Sequence, residues 1–190
     1  CDNTGLKKIT VTTNDEWKQK LQDFRENYFP VLKVETKGSN LVNGVAASYY
    51  GFSNVGNAIH RSKYENGGDF PDFLLGLFLK AYRNKFSQEK FDLILYVPPA
   101  KSGDLVRNFA ERVSQVLKIP ISHHLIKQRE TSEQKVFENA YLKLENVRDA
   151  FEIKTPEEVR GKNILLIDDI FDSGATIKEI GRYLSNLGAE

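Results

Sequence analysis

The chain has 190 residues, of which 27 are Lys or Arg and 26 are Asp or Glu, so its formal charge is +1 at pH 7. This near balance excludes a basic nucleic-acid-binding arm and a polyacidic tail, so any attraction for phosphate has to be local. Hydrophobic residues make up 40% of the sequence, which is typical of a globular domain rather than a disordered chain. The length suits one domain of roughly 100–200 residues with a small addition.

The sequence also indicates the cellular compartment of the protein. A single cysteine, Cys1, excludes an internal disulfide and indicates a reducing environment. No apolar run approaches the ~18 residues of a membrane-spanning helix, and residues 1–30 lack the apolar core of a signal peptide. We therefore expect a cytoplasmic protein with no membrane partner. The absence of Met indicates a piece of a longer chain.

The first 51 residues differ in pattern from the rest and are predicted to form an N-terminal subdomain or linker, separate from a domain over 52–190. Thr13 and Glu16 resemble a capping box, and the apolar residues after them recur at helical spacing as far as Pro30. Residues 31–36 alternate like a short strand, and Gly, Asn and Ser then dominate, as they do in turns.

From residue 52 onward, helices and apolar strands alternate. The predicted helices cover 55–64, 71–85, 105–117 and 175–187, and the predicted strands cover 91–97, 121–126 and 163–167. The helix after Pro71 is apolar nearly all round and is expected to be largely buried. Apolar strands separated by helices predict a parallel sheet that is covered on both faces. Ligands bind beyond the carboxyl ends of such strands, where the loops 98–103 and 168–176 lie.

The second of these loops combines two kinds of binding group. Asp168 and Asp169 directly follow an apolar strand, and paired carboxylates at such a place suit hydroxyls or a hydrated cation. Gly174 can take a positive φ and lets a ligand approach the backbone where a helix begins. Amide groups at that helix mouth, with the hydroxyls of Ser173 and Thr176, favour an anion. A sugar phosphate with Mg²⁺ satisfies both ends, because Mg²⁺ usually keeps waters and is shared with substrate phosphates.

The stretch from Ile164 to Thr176 resembles the phosphoribosyl-pyrophosphate (PRPP) binding motif of type I phosphoribosyltransferases. The resemblance extends back to residue 52 and is closest to ComF-like domains. The runs His60 to Glu65 and Asp168 to Gly174 are similar to the version at the C-terminus of some RecQ-like ATP-dependent DNA helicases. The resemblance implies an α/β fold of three layers with a mainly parallel twisted sheet. A domain of this type continues past the last predicted helix, so we expect its C-terminal strand or strands to be missing.

The resemblance implies a domain that binds PRPP or a nucleoside 5′-phosphate with Mg²⁺. If active, such a domain transfers phosphoribose to a nitrogen base and releases pyrophosphate. DNA would then be a partner only through a parent helicase. The sequence leaves open an alternative from another class, a non-catalytic nucleotide-sensing or docking module of a DNA-processing enzyme.

The family's roles carry over onto matching positions of this chain. Asp168 and Asp169 are expected to bind the ribose hydroxyls and to influence Mg²⁺. The 5′-phosphate is expected to bind at Asp172, Ser173, Gly174, Ala175 and Thr176. The pyrophosphate loop is expected at Ala100, Lys101, Ser102 and Gly103. Residues 127–150 correspond to a hood that covers the site and excludes water. Within it, Lys127 and Arg129 are candidate pyrophosphate contacts, with ordinary surface pairing as the alternative.

Asp172 stands where many family members have Thr, and two roles are open for it. In the 6-oxopurine phosphoribosyltransferases the matching Asp lies near the base and is thought to act as general base. Asp172 is therefore a candidate catalytic base toward a nitrogen heterocycle. Alternatively, it caps the helix that begins at residue 175, as Asp often does.

Other polar patterns carry weaker signals. No Gly-x-x-x-x-Gly-Lys-Ser/Thr motif is present, which excludes a P-loop ATPase. The adjacent His123 and His124 are expected to point to opposite faces of a strand, which disfavours a shared metal ion. The run from His60 to Lys63 could touch phosphate, but a solvated helix face is the favoured interpretation.

Overall fold

The computed structural model describes residues 15, 16, 18, 32–33, 43–46, 53–65, 69–99, 103–129 and 140–190. The chain divides into two compact units, Cys1–Pro30 and Val31–Glu190. In the first unit the three described residues, Asp15, Glu16 and Lys18, are helical. The rest of the helix predicted there lies outside the described residues. The division at residue 51 stays a prediction.

The second unit contains the helices and strands that position the site. Its described helices are α1 (Asn54–Tyr64), α2 (Asp72–Phe86), α3 (Leu105–Leu117), α4 (Ala140–Val147) and α5 (Ala175–Asn186). Its described strands are β1 (Leu32–Lys33), β2 (Val45–Ala46), β3 (Leu93–Tyr96), β4 (Leu125–Lys127), β5 (Phe151–Ile153) and β6 (Ile164–Ile167). The helices predicted at 55–64, 71–85, 105–117 and 175–187 are confirmed to within one residue at each end.

Two adjacent parallel strands, β3 and β6, carry the candidate site at their carboxyl ends. Their last residues, Tyr96 and Ile167, lie opposite each other in the register. On the other side of β3, Ile121 forms a parallel bridge with Ile94. The parallel segments are joined through helices, as the alternation predicted. The predicted α/β class with a parallel sheet is therefore confirmed.

A second pair of strands, β4 and β5, is antiparallel and separate from this sheet. The single strand predicted over 121–126 is corrected here, because Ile121 pairs with β3 whereas the strand that pairs with β5 begins at Leu125. The sequence reading missed β5 because its three residues are too few for an alternating pattern to be recognised. The predicted hood, 127–150, connects β4 to β5, so both of its ends are held by this ribbon.

The main core lies between β3, the β4–β5 ribbon and α5. Alternate residues of β3 point into it, and Phe151, Ile153 and Ile180 are fully buried there. On the other face of β3, Ile94 is 0% exposed, and α3 contacts the strand. Burial on both faces explains why the first three residues of β3, Leu93, Ile94 and Leu95, are all aliphatic.

Helix α2 differs from its prediction. Leu74, Leu77 and Ala81 are buried, but Phe73 is 46% exposed and about half of the helix residues are exposed, so the expectation that this helix is largely buried is wrong. The helix packs against α3 and β2, and such neighbours cover a stripe rather than the whole circumference. In the part of the chain that the structure describes, no helix is both long and apolar enough to cross a membrane.

Replacing Ile94 with Ala should lower the free energy of unfolding by about 2–5 kcal/mol, because the cavity would lie in a fully buried strand. Val116→Ala is the matched control, since Val116 is 47% exposed, and it should change the free energy by less than about 0.5 kcal/mol. Urea denaturation of the two variants measures both values. Equal losses would contradict the placement of β3 at the centre of the core.

Candidate functional site

The loop after β6 turns sharply into α5 at a glycine. Gly174 is the N-cap of α5 and has a φ of +74°, a conformation that residues with a Cβ rarely adopt. A Cβ added at Gly174 would also lie only 2.8 Å from the ring of Phe171. The predicted positive φ is confirmed, and the position requires glycine for its backbone conformation and for the space beside it.

The backbone amides of this loop are available for a ligand. From Ile170 to Gly174 the N–H groups donate no hydrogen bond to any residue that the structure describes. The next amide, that of Ala175, donates to the Ser173 hydroxyl at 3.3 Å. These amides lie at the positive end of the α5 dipole. Available donors at a helix N-terminus favour an anion such as phosphate.

The two acids at the end of β6 have different surroundings. Asp169 Oδ2 accepts a hydrogen bond from Lys63 Nζ at 2.7 Å, and these side chains are 8% and 13% exposed. Asp168 Oδ1 accepts one from the Asp169 backbone N–H at 2.8 Å. Although Asp168 keeps some contact with solvent, protein atoms surround its carboxyl group. This burial, followed by the neighbouring charge of Asp169, raises the pKa of Asp168 to about 7.

The raised pKa of Asp168 predicts a pH dependence of stability. The folded protein binds this proton more tightly than the unfolded chain, whose Asp168 has an ordinary pKa near 3.8. The resulting stabilisation is fully present below about pH 4 and is lost as the pH rises through about 7. Urea denaturation between pH 4 and 8 should therefore show a steeper loss of stability for the wild type than for Asp168→Asn. Parallel profiles would contradict the raised pKa.

Lys63 is the site residue that the sequence interpretation placed wrongly. The first two residues of the run 60–63 are exposed, as predicted, but Ser62 is buried and Lys63 reaches the acid pair from α1. The signal was present in the spacing, because Val55, Ile59 and Lys63 recur every four residues on one face of α1. Since Val55 is buried, that face packs against the rest of the domain.

Asp172 forms an ion pair with a residue of the hood. Its Oδ2 accepts a hydrogen bond from Lys143 Nζ of α4 at 2.5 Å. The Lys143 side chain is 15% exposed and that of Asp172 is 53% exposed. The helix-capping alternative is wrong, because Gly174 is the N-cap of α5 and the Asp172 carboxylate accepts no hydrogen bond from the first amides of that helix. The ion pair instead joins α4 to the loop after β6.

The two basic hood residues at the end of β4 have different surroundings. Burial lowers the pKa of Lys127, and the negative charge of Asp168 partly opposes this change, so the Lys127 ammonium lies within electrostatic range of the acid pair. Arg129 Nη2 instead donates to the carbonyl of Arg148 at 2.6 Å, just past the C-terminus of α4. Lys127 therefore interacts electrostatically with Asp168, whereas Arg129 contacts the end of α4.

The predicted pyrophosphate loop is described only at its edges. Ala100, Lys101 and Ser102 lie outside the described residues, and Gly103 is exposed with a φ of +61°. The Val97 N–H donates to the carbonyl of Ile167 at 2.9 Å, which extends the β3–β6 pairing to the residue before the acids. The loop after β3 therefore starts beside the loop after β6.

The donor set fits a Mg²⁺ ion that a ligand shares, rather than one held by protein groups alone. Among the described residues, no group of three or more His, Cys, Asp or Glu could hold a metal ion. Asp168 and Asp169 offer two carboxylate groups at the end of β6. This number suits Mg²⁺, which commonly takes one or two carboxylates together with waters and substrate phosphates. His123 and His124 do not converge, because they contact different partners.

The comparisons with known proteins place this arrangement in a family. The family model for the phosphoribosyl transferase domain matches residues 77–190, more than half of the chain. No curated protein matches the chain. The matched segment includes both parallel strands, the acid pair and Gly174, but it begins after α1, which supplies Lys63. The mixed α/β structure with a parallel sheet is consistent with the type I phosphoribosyltransferase fold. The chain therefore belongs to the phosphoribosyl transferase domain family.

Proposed function

We propose that this domain binds PRPP or a nucleoside 5′-phosphate together with Mg²⁺, and that it transfers phosphoribose to a nitrogen base with release of pyrophosphate. Membership of the family supports phosphoribosyl-transfer chemistry in general. The observation that carries the finer proposal is the loop from Ile170 to Gly174. Its amides have no hydrogen-bond acceptor among the described residues, and they lie between an acid pair and a helix N-terminus.

The loop offers matching groups to the two ends of a sugar phosphate. The 5′-phosphate is bound by the amides before α5, with the hydroxyls of Ser173 and Thr176 nearby in the chain. The acid pair lies one to six residues before these amides, where its carboxylate oxygens accept hydrogen bonds from the ribose hydroxyls. A rigid strand and a helix hold the two ends of the loop, so the ligand is oriented without a large rearrangement.

Mg²⁺ would be held by Asp168 and Asp169, largely through the ligand and water. When bound, it supplies positive charge to the departing pyrophosphate. The chain's own contribution is to bind and orient the two reactants and to exclude water. In the reaction the bond from the anomeric carbon to the pyrophosphate oxygen breaks, and a bond to the base nitrogen forms. The proton of that nitrogen goes to a general base, for which Asp172 is the candidate.

Binding without turnover is the second candidate function, and the Lys143–Asp172 ion pair favours it. Lys143 Nζ already donates a hydrogen bond to Oδ2 of Asp172, so this carboxylate oxygen is engaged in a contact between α4 and the loop. A nucleotide-sensing module of a DNA-processing enzyme needs the binding loop but no general base. The proposed setting, a longer DNA helicase chain, depends on the sequence resemblance alone.

Calorimetric titration with PRPP and Mg²⁺, followed by product detection with a panel of nitrogen bases, tests the proposed function. Saturable binding and a nucleotide product would support the transferase. Binding without product from any base would support the sensing module. No heat from PRPP or from any nucleoside monophosphate would contradict both functions.

The role of Asp172 is tested by Asp172→Asn in the same assay. If Asp172 is the general base, kcat should fall by about 100-fold or more, whereas the KM for PRPP should change little. Lys143→Met is the matched control, because it removes the same ion pair and keeps the carboxylate. Unchanged turnover of Asp172→Asn would exclude the general-base role.

A further inference from the structure

The loop brings three carboxylates close to a site proposed for an anionic ligand, and lysines from other elements lie near them. Lys63 of α1 pairs with Asp169, and Lys143 of α4 pairs with Asp172. The charge of Asp168 acts on Lys127 of β4. Without these lysines the carboxylates would repel phosphate, because like charges in a partly buried site are poorly screened.

The Lys63–Asp169 pair is the most buried of these contacts. Its two side chains are 13% and 8% exposed, whereas Asp172 in the other direct pair is 53% exposed. The pair also spans 106 positions of sequence and joins α1 to the end of β6. Because α1 precedes residue 77, Lys63 lies outside the segment that the family model matches.

The Lys63 contact uses only one oxygen of the acid. Lys63 donates to Oδ2 of Asp169, no N–H or alcohol O–H of a described residue donates to Oδ1, and the carboxyl group of Asp168 lies beside this carboxylate. A carboxylate held through one oxygen has a fixed orientation, and the ammonium balances its charge. Oδ1 is then an oriented acceptor next to Asp168.

We propose that Lys63 is a positioning residue for the phosphoribosyl ligand. It fixes the Asp169 carboxylate through Oδ2 and balances its charge, so that Oδ1 accepts a ribose hydroxyl while the phosphate groups approach. Lys63 stays paired with Asp169 when the ligand binds and is not displaced by it. This inference rests on the proposed function, because the ligand is the one assigned there.

The first experiment is calorimetric titration of PRPP with Mg²⁺ into the wild type, Lys63→Gln, Lys63→Arg and Arg61→Gln. Lys63→Gln should bind at least about tenfold more weakly, which corresponds to one lost charge-assisted contact. Lys63→Arg should recover most of the affinity, since it restores a cation. Arg61→Gln, which removes the same charge from an exposed neighbour on α1, should bind within about twofold of the wild type.

The outcomes separate the role of Lys63 from the proposed function. If the wild type binds no PRPP, the proposed function fails, and the inference fails with it. If the wild type binds and Lys63→Gln binds equally well or more tightly, only the role of Lys63 is contradicted. A variant that loses thermal stability but keeps its affinity would show a purely structural ion pair, which also contradicts the inference.

A second measurement uses the wild-type protein, so it tests the inference even if the Lys63→Gln variant does not fold. Lysine labelled with ¹⁵N at Nζ gives a separate NMR signal for an ammonium group that is held and protected from solvent. We expect such a signal for Lys63, identified by its loss in Lys63→Arg, to persist at saturating PRPP. Its disappearance on addition of PRPP would show that the ligand displaces Lys63 and would overturn the inference.

Discussion

Replacing Asp168 and Asp169 together with Asn should abolish Mg²⁺-dependent binding of PRPP, the largest loss of affinity that the structure predicts. Asn keeps the size of each side chain but removes both negative charges, so neither ribose hydroxyls nor a hydrated Mg²⁺ finds a charged acceptor. Two lost charge-assisted hydrogen bonds correspond to a decrease in affinity of at least about 100-fold. Calorimetric titration at fixed Mg²⁺ measures it.

The control for this double variant removes two charges elsewhere. Glu152 and Glu157 are both exposed, so Glu152→Gln with Glu157→Gln gives the same change in net charge away from the loop. Its affinity for PRPP should remain within about twofold of the wild type, because exposed charges are screened. Equal affinities of the two double variants would contradict the assignment of the acid pair to ligand binding.

Replacing Gly174 with Ala should weaken PRPP binding by at least about tenfold and lower the free energy of unfolding by about 1–3 kcal/mol. Two causes act together, because the φ of +74° is unfavourable for Ala and the new Cβ would lie 2.8 Å from the Phe171 ring. To relieve both, the loop has to change its conformation, and its amides would lose their common orientation. Denaturation and calorimetric titration measure the two effects.

Gly161→Ala is the matched control for Gly174→Ala. Gly161 also has a positive φ, +63°, but an added Cβ would meet nothing within 4 Å. It should therefore lose stability through its backbone alone and keep its affinity for PRPP. Adding Phe171→Ala to Gly174→Ala should recover the part of the loss that comes from the ring. Equal losses of affinity in both glycine variants would contradict a binding role for the turn.

The part of the site that the sequence predicts is the part formed by neighbouring residues. Strand β6, its two acids, the glycine turn and α5 follow one another within 23 residues, so local pattern and backbone chemistry define them. The positive φ of Gly174 could be predicted because the chain has to turn from a strand into a helix there. The same local reasoning predicted α1, α2, α3 and β3, but not α4.

The missed features depend on contacts between distant parts of the chain. The helical spacing of α1 places Lys63 on its packed face, but no local pattern connects it with Asp169. The contact between Lys143 and Asp172 could not be predicted locally either, since the two residues are 29 positions apart in the chain. The burial of α2 was overestimated for a related reason. The amino-acid composition shows how apolar a helix is, but it does not show how many neighbouring elements cover that helix.

The central claim is that the amides before α5 bind phosphate, and backbone NMR of the ¹⁵N-labelled protein tests it most directly. On titration with ribose 5-phosphate, the amide signals from Ile170 to Gly174 should show the largest shifts and saturate together. The claim would be contradicted if these amide signals did not change and the largest shifts occurred elsewhere, for example around the cavity lined by Ser122 and Glu158.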